Sequence, residues 1–293
     1  MDKSAGGASP VLRRCPSLLS ATIMKLVVLS DIHIDEPGGD QKFPENLRRL
    51  ETAIDRINTA YGDADLLVFA GDLVDRGRRA EPYYLLQNAL ARLAPPYALT
   101  LGNHDGREAF RSVFGDAHCD PNGYVQSAHD LDGTCVIILD TASDIPAGSN
   151  RRGASDPKGQ LCAKRLSWLS DRLSDAADQP VIVILHHPPL RLGLVNDPWV
   201  LQEPEAFIDL LASHGDVRQV LSGHIHLTST AFHRGIPFTT LAGNCTTTVE
   251  DFGRQQNKLR RTGPAQMAVV LSDADQTTVH FDNYVDAHPA FVK

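Results

Sequence analysis

Five short apolar runs in this chain end on residues that can do chemistry. The first ends in Ser30-Asp31-Ile32-His33, the second in Gly71-Asp72-Leu73-Val74-Asp75 and the third in Gly102-Asn103-His104-Asp105. Two later runs end in His186-His187-Pro188-Pro189 and Gly223-His224-Ile225-His226. Asp31, His33, Asp72, Asn103, His186, His224 and His226 offer oxygen and imidazole donors without a thiolate. That set suits Mn²⁺, Fe²⁺/Fe³⁺ or Zn²⁺ in an open site better than a closed structural zinc site. Seven ligands exceed the needs of one ion that keeps a position for water, and they suffice for two if one carboxylate bridges. In Asp31-x-His33 and His224-x-His226 the paired side chains converge where an extended strand breaks into a loop. Glycines at 71, 102 and 223 let the backbone turn sharply there.

Each fragment alone has an ordinary structural reading. Gly71-Asp72 is a common strand-to-helix turn, and His186-His187-Pro188 a polar turn before a loop. All five in order, each after an apolar run, point to one site, because ligands of open α/β sheets collect beyond the carboxyl ends of strands. His118, His129, His214, His233, His280 and His288 follow no such run and read as surface or structural histidines.

The elements that must position these residues are legible as patterns. Runs rich in Val, Ile and Leu at 26–29, 66–70, 97–101, 135–139, 181–185 and 217–221 predict strands buried on both faces. Helical stripes fall between several of them, at 44–61, 81–93, 161–173 and 203–214. The segments 228–232, 238–241, 267–271 and 277–284 read as antiparallel strands. The Pro- and Gly-rich stretch 144–159, with Arg151, Arg152 and Lys158, is either a solvated surface loop or a loop that overhangs the site. Residues 1–23 read as a mobile N-terminal tail, 24–246 as the catalytic domain, and 247–293 as an extension that completes the second sheet or serves as a lid or dimer arm.

Composition narrows the function classes. The 293 residues carry 36 Asp+Glu against 28 Lys+Arg, a net charge of −8. That balance disfavours nucleic acid as a partner, since phosphates attract Lys and Arg. No apolar run approaches the ~20 residues that span a bilayer. The five cysteines, Cys15, Cys119, Cys135, Cys162 and Cys245, are odd in number and lack a C-x-x-C spacing, which points to free thiols in a reducing cytoplasm.

These motifs resemble the calcineurin-like metallophosphoesterase superfamily, whose pattern runs D-x-H, G-D, G-N-H-[DE], H, G-H-x-H. The resemblance covers about residues 24 to 245 and is nearest to bacterial class III cyclic nucleotide phosphodiesterases and related glycerophosphodiesterases. Gly159-Gln160-Leu161, Gly193 after the His-His-Pro-Pro turn, and Gly235-Ile236-Pro237 also resemble that branch. The resemblance implies a four-layer α/β/β/α sandwich of two mixed β-sheets flanked by helices. It implies two metal ions, one held by Asp31, His33, Asp72 and His226 and one by Asp72, Asn103, His186 and His224, with Asp72 bridging. His187 is the alternative to His186. His104 then faces the phosphate as a catalytic group, and Asp105 orients His104 or a ligand imidazole.

Two cations a few ångströms apart acidify a bridging water, so hydroxide attack on phosphorus is the expected chemistry. Asn103, His104, Arg107, Cys245 and Thr246 are expected around the substrate, together with the loop 190–199. The expected partner is a small phosphodiester, a cyclic nucleotide or a glycerophosphodiester, acted on by a homodimer. The competing functions are a phosphomonoesterase or nucleotide phosphatase on the same scaffold, and a catalytically silent metal-binding scaffold protein. Retention of every ligand position speaks against the last.

Overall fold

The computed structural model describes residues 23–36, 45–148, 152–249, 260–263 and 265–285. The N-terminal segment expected to be a tail lies outside the described residues, apart from Ile23. Two mixed sheets face each other, each with helices on its outer side, so the four-layer sandwich expected from the sequence is the observed fold.

The first sheet contains β1 (Met24–Leu29), β2 (Leu66–Ala70) and β3 (Tyr97–Thr100), which run parallel. Between them lie α1 (Asn46–Ala60) and α2 (Glu81–Leu90), and after β3 comes α3 (Arg107–Phe114). The second sheet is built from β4 (Ser127–Leu131), β5 (Thr134–Leu139), β6 (Val181–Leu185), β7 (Val217–Ser222), β8 (Ser229–His233) and β9 (Ile236–Thr240), with α4 (Ala163–Asp175) and α5 (Glu205–His214) outside it. A short ribbon of β10 (Thr247–Thr248) and β11 (Arg260–Arg261) follows, then β12 (Ala265–Ser272) and β13 (Thr277–Val285).

Side chains alternate between layers as the period of two demands. Val27 and Leu29 of β1 face the helices, whereas Leu26 and Val28 meet the opposite sheet. There they join Ile138 of β5 and Ile182 and Ile184 of β6, all fully buried. Each such side chain stabilises the sandwich by about 1.5–3 kcal/mol relative to exposure. α1 buries Leu50, Ala53, Ile54 and Ile57 on one stripe, the face that its apolar spacing predicted. Its first residue, Asn46, donates from Nδ2 to the His33 carbonyl at 3.0 Å, which ties the helix to the end of β1. α3 and β4 escaped prediction. The helix is eight residues long with only Phe110 buried, and the strand is an edge with no buried position.

Two sequence expectations are corrected. The C-terminal strands do not complete the second sheet. β12 pairs antiparallel with β1, and β13 with β12, so they extend the first sheet. β1 has a free edge there because β2 occupies its other side, and β12 is the apolar strand that covers it. Nor are residues 265–285 a lid or arm, since Met267, Ala268 and Val270 are fully buried. β9 is antiparallel only to β8; it runs parallel to β7. The tight turn at Arg234 and Gly235, both at positive φ, folds β8 back outside β9 and leaves β9 beside β7.

If β12 is core, a buried charge there should be severe. Val270→Asp is expected to cost at least about 4 kcal/mol, because an unpaired carboxylate would lie between two apolar sheets. Denaturant unfolding of the variant tests this; a mild effect would match a peripheral arm instead.

Candidate metal centre

The carboxyl ends of β1, β2 and β3 in one sheet and of β6 and β7 in the other open onto the same edge of the sandwich. Backbone hydrogen bonds knit the loops that leave them. Asp31 N donates to Gly71 O at 3.0 Å, His33 N to Asp72 O at 2.9 Å, and Gly223 N to His186 O at 3.0 Å. Asp31, His33, Asp72, His224 and His226 all hold positive φ, between 48° and 70°. L-residues rarely adopt that conformation, and each costs roughly 1–2 kcal/mol. The reversal ends each strand abruptly over the cleft. Gly71, at φ 84°, makes the same kind of turn, and a Cβ on Gly102 would strike Asp72 Oδ1 and lie 2.7 Å from His186 Nε2.

All seven predicted ligands meet at this edge. Asp31 Oδ1 lies 3.1 Å from His226 Nε2, and Asp72 Oδ2 lies 3.5 Å from His33 Nε2 and 3.4 Å from His186 Nε2. The His33 and His226 Nε2 atoms are 3.3 Å apart. Asn103 Oδ1 and His186 Nε2 are buried without a hydrogen-bond partner. Asp31 also accepts from His224 N at 3.0 Å, and Asp72 Oδ1 from His104 N at 2.8 Å.

Tautomers are set from behind. His226 Nδ1 donates to Thr246 O at 2.7 Å, and His186 Nδ1 to Ala70 O at 2.8 Å. Asp75 Oδ1 stands 3.6 Å from His33 Nδ1. With Nδ1 held from behind, His186 and His226 turn Nε2 toward Asp72 and Asp31, and Nε2 is the atom through which such an imidazole ligates metal once a cation displaces its proton. His187 is placed differently: its Nδ1 meets Thr141 Oγ1 at 2.9 Å, one step away from Asp72. The geometry therefore favours His186 over His187 beside Asp72.

The electrostatics are those of a site short of positive charge. Burial opposes ionisation of Asp31 and Asp72, yet His226 draws Asp31, and His186 draws Asp72, below the ordinary carboxylate range. Burial pulls His186 and His226 down. It is outweighed for His186 by Asp72, which holds it at about 9, and for His226 by Cys245 and Asp31, which hold it at about 10. His224 is pushed down to about 3 by burial and by His186. Protons on a few imidazoles compensate buried carboxylates here, a task that divalent cations perform more fully. The donor set, the partnerless Asn103 Oδ1 and the aimed Nε2 atoms all fit two such ions.

His104 lines a cavity of about 500 Å³ that opens over this cluster. Its Nδ1 donates to the Asp75 carbonyl at 3.0 Å and lies 3.2 Å from Asp75 Oδ1. Asp75 thus does what was expected of Asp105. Asp105 instead accepts from Leu73 N, Val74 N, Gly102 N and Tyr83 Oη, so it clamps the backbones of two loops and does not touch the His104 ring. Asp75 was overlooked because a lone carboxylate after Asp72-Leu73-Val74 carries no pattern of its own; only the fold turns it back toward His33 and His104.

The expected substrate contacts divide. Asn103 and His104 line the cavity, and so do Asn196 and Trp199 of the expected loop. Arg107 does not. Its guanidinium donates to Asp140 twice at 2.9 Å and to Asp144 at 2.8 Å, so its charge is spent inside the fold. Cys245 and Thr246 sit behind His226, with Cys245 Sγ 3.2 Å from Nδ1, and brace the ring from the side away from the cavity. The described parts of the loop, 144–148 and 152–159, overhang the site, and Arg151 lies outside the described residues. Ala154 N and Ser155 N donate to Asn103 O, Arg152 reaches Asp75 at 2.9 Å, and Gly153, Ser155 and Pro157 line the cavity. Arg260 of β11 completes the mouth.

Arg107→Ala is accordingly a stability variant. It is expected to cost about 2–3 kcal/mol, less than the 3–5 of a fully buried pair because Arg165 stays beside Asp140. Thermal melting should fall by roughly 5–10 °C, with KM for substrate nearly unchanged; a large KM increase would return Arg107 to the substrate.

Comparison with known proteins bears on this geometry. The family described as calcineurin-like phosphoesterase matches residues 24–228. A probable cyclic nucleotide phosphodiesterase of Rhodopseudomonas palustris is 31% identical over 271 residues, covering 92% of this chain and 95% of that protein. A probable glycerophosphodiester phosphodiesterase of Arcobacter nitrofigilis is 30% identical over 223 residues, covering 75% of this chain and 78% of that one. Among solved structures, a dimetal phosphatase from Danio rerio superposes with a TM-score of 0.62 at 14% identity, covering 87% of this chain and 98% of that one. At that identity the likeness establishes the fold.

Proposed function

The chain belongs to the calcineurin-like phosphoesterase family, and on that premise we propose that it is a metal-dependent phosphodiesterase that hydrolyses small phosphodiesters, cyclic nucleotides or glycerophosphodiesters. The observation that carries this reading is the convergence of imidazole Nε2 atoms, their Nδ1 atoms held from behind, on the buried carboxylates Asp31 and Asp72. Asp31, His33, Asp72 and His226 would hold one ion, and Asp72, Asn103, His186 and His224 the other. When bound, two such ions supply Lewis acidity to a water and to the phosphoryl oxygens. The mixed oxygen and nitrogen donors support Mn²⁺, Fe or Zn²⁺. Cysteine usage in the sequence supports a cytoplasmic location. Among the described residues no helix is long and apolar enough to cross a membrane.

This chain's own residues then divide the work. Asp72 lies between the two clusters and offsets charge in both. His104, with Nδ1 given to Asp75, offers Nε2 to the cavity. Burial lowers its proton affinity, but Asp72 and Asp75 outweigh burial and hold it at about 9, so it carries a proton near neutral pH. It is suited to donate that proton to the departing alkoxide or to hydrogen-bond the phosphoryl oxygens. Burial opposes ionisation of Asp75, but His104 and His33 draw it well below the ordinary carboxylate range, and Arg152 pairs with it at 2.9 Å.

Metal loading tests the centre. Elemental analysis after saturation with Mn²⁺ is expected to give two ions per chain, and fewer than one for Asp72→Asn. One ion at saturation in the wild type contradicts a dinuclear site.

Leaving-group dependence tests His104. His104→Ala is expected to retain metal and lose about 10²–10⁴ in kcat on cyclic nucleotides or glycerophosphodiesters. The loss should shrink for bis(p-nitrophenyl) phosphate, whose leaving group needs little protonation. Equal losses on both substrate types would leave His104 as a phosphate-binding group only. Comparison with p-nitrophenyl phosphate separates this activity from that of a phosphomonoesterase.

A further inference from the structure

His187 stands behind the residues assigned to the second ion. Its ring centroid is 4.6 Å from that of His224, with the planes tilted by 50°, and 4.8 Å from that of His186 at a right angle. One nitrogen from each of the three rings lies within 4.8 Å of the others. His187 is fully buried, and its Nε2 has no hydrogen-bond partner. A buried polar atom left alone is uncommon in a folded protein and marks a contact still to be made.

Two neighbours fix this ring in place. Thr141 Oγ1, just after β5, lies 2.9 Å from Nδ1 and accepts from His187 N at 3.2 Å. Gly159 packs against the ring: a Cβ there would come within 2.5 Å of His187 Cβ and Cγ, so only glycine permits the approach. That segment is itself tied down, with Gln160 N donating to Thr141 O at 3.0 Å and Gln202 N to Gly159 O at 2.9 Å. With Nδ1 engaged by Thr141, Nε2 is the nitrogen left to act.

His224 lacks the support that other imidazoles of the cluster have. His226 is held from behind by Thr246 O and His186 by Ala70 O. Among the described residues no hydrogen bond reaches the His224 ring, although its amide N donates to Asp31. An imidazole that ligates metal through one nitrogen carries N–H on the other, and that N–H ordinarily finds an acceptor that fixes the ring. Asn103, His186 and His187 each bury a side-chain atom without a partner. Asn103 Oδ1 and His186 Nε2 belong to predicted ligands, which leaves His187 Nε2 for His224.

We propose that His187, anchored on Thr141, is a positioning residue that braces the His224 imidazole and accepts its spare N–H, so that the ion assigned to Asp72, Asn103, His186 and His224 binds more tightly than those four side chains would hold it unaided. This rests on the metal-dependent reading above and adds to it a side chain that touches no ion.

Titration of the metal-free protein with Mn²⁺, the free ion read by electron paramagnetic resonance, tests this without turnover. The wild type is expected to take up two ions. His187→Phe keeps a ring but removes both nitrogens; it should still bind two, with the Kd of one of them raised about 10–100-fold. His187→Gln, whose amide oxygen can accept the same hydrogen, should recover most of that affinity, a rescue that packing alone would not give. Thr141→Val, close to the native side chain in volume, should weaken the same ion severalfold, and it carries the comparison if His187→Phe does not fold. Unchanged Kd values in His187→Phe, or in Thr141→Val where that variant stands in, overturn the proposal. Equal losses in His187→Phe and His187→Gln also overturn it: His187 would then be a packing residue if both variants bind two ions, and a direct ligand if both bind one. One ion in the wild type contradicts the dinuclear reading instead, and the positioning role then stands only if His187→Phe weakens that ion.

Discussion

Two carboxylates, Asp31 and Asp72, are buried together with His186 at the seam between two sheets, with ligand atoms within 4.8 Å of one another. Like charges in so dry a place repel, and each is costly to take out of water. Much of the surrounding structure can be understood as compensation for that pair. His226, His33 and His186 turn nitrogen toward it, and the backbone N–H groups of His104 and His224 donate to it. A centre of divalent cations is the compensation that such a donor set is built to receive.

The same constraint accounts for the strained backbone. Five predicted ligands sit in the left-handed region although none is glycine. The strands must stop within one residue and send both members of Asp-x-His and His-x-His over the edge of the sheet. An ordinary turn would carry one of each pair away. The apolar sandwich supports this local strain, since the runs that lead into it are fully buried. Asp105, with four donors on its carboxylate, secures the loops after β2 and β3 against relaxing.

Around that rigid floor the cavity is assembled from distant parts of the chain. Arg152 and Pro157 come from the loop after β5, Asn196 and Trp199 from a turn after β6, and Arg260 from the short ribbon after β9. The edge that carries the predicted ligands belongs to the fold, whereas these elements determine what else fits. Substrate choice can therefore change without disturbing the ligands beneath.

Much of the site was legible in the linear order of residues. Strand-end motifs carry their ligands with them: once an apolar run is a buried strand, the Asp or His that follows must emerge at its carboxyl end. All seven expected ligands meet for that reason, and the alternation of apolar runs and helical stripes indicates sheets flanked by helices, whereas the four-layer arrangement was implied by the family resemblance. What the tertiary structure alone decided depends on which segments meet. Asp75 reaches His104, and Arg107 is consumed by Asp140, because loops remote in sequence fold over one another. Asp105, adjacent to His104 in sequence, turns toward the backbone instead. β12 joins β1 across nearly the whole chain because β1 has an open apolar edge, and no local pattern reveals which edge a strand will cover. Periodicity specifies which face of a strand or helix is buried; the partner that buries it is selected by long-range packing, and in this protein that packing set the surroundings of the predicted ligands.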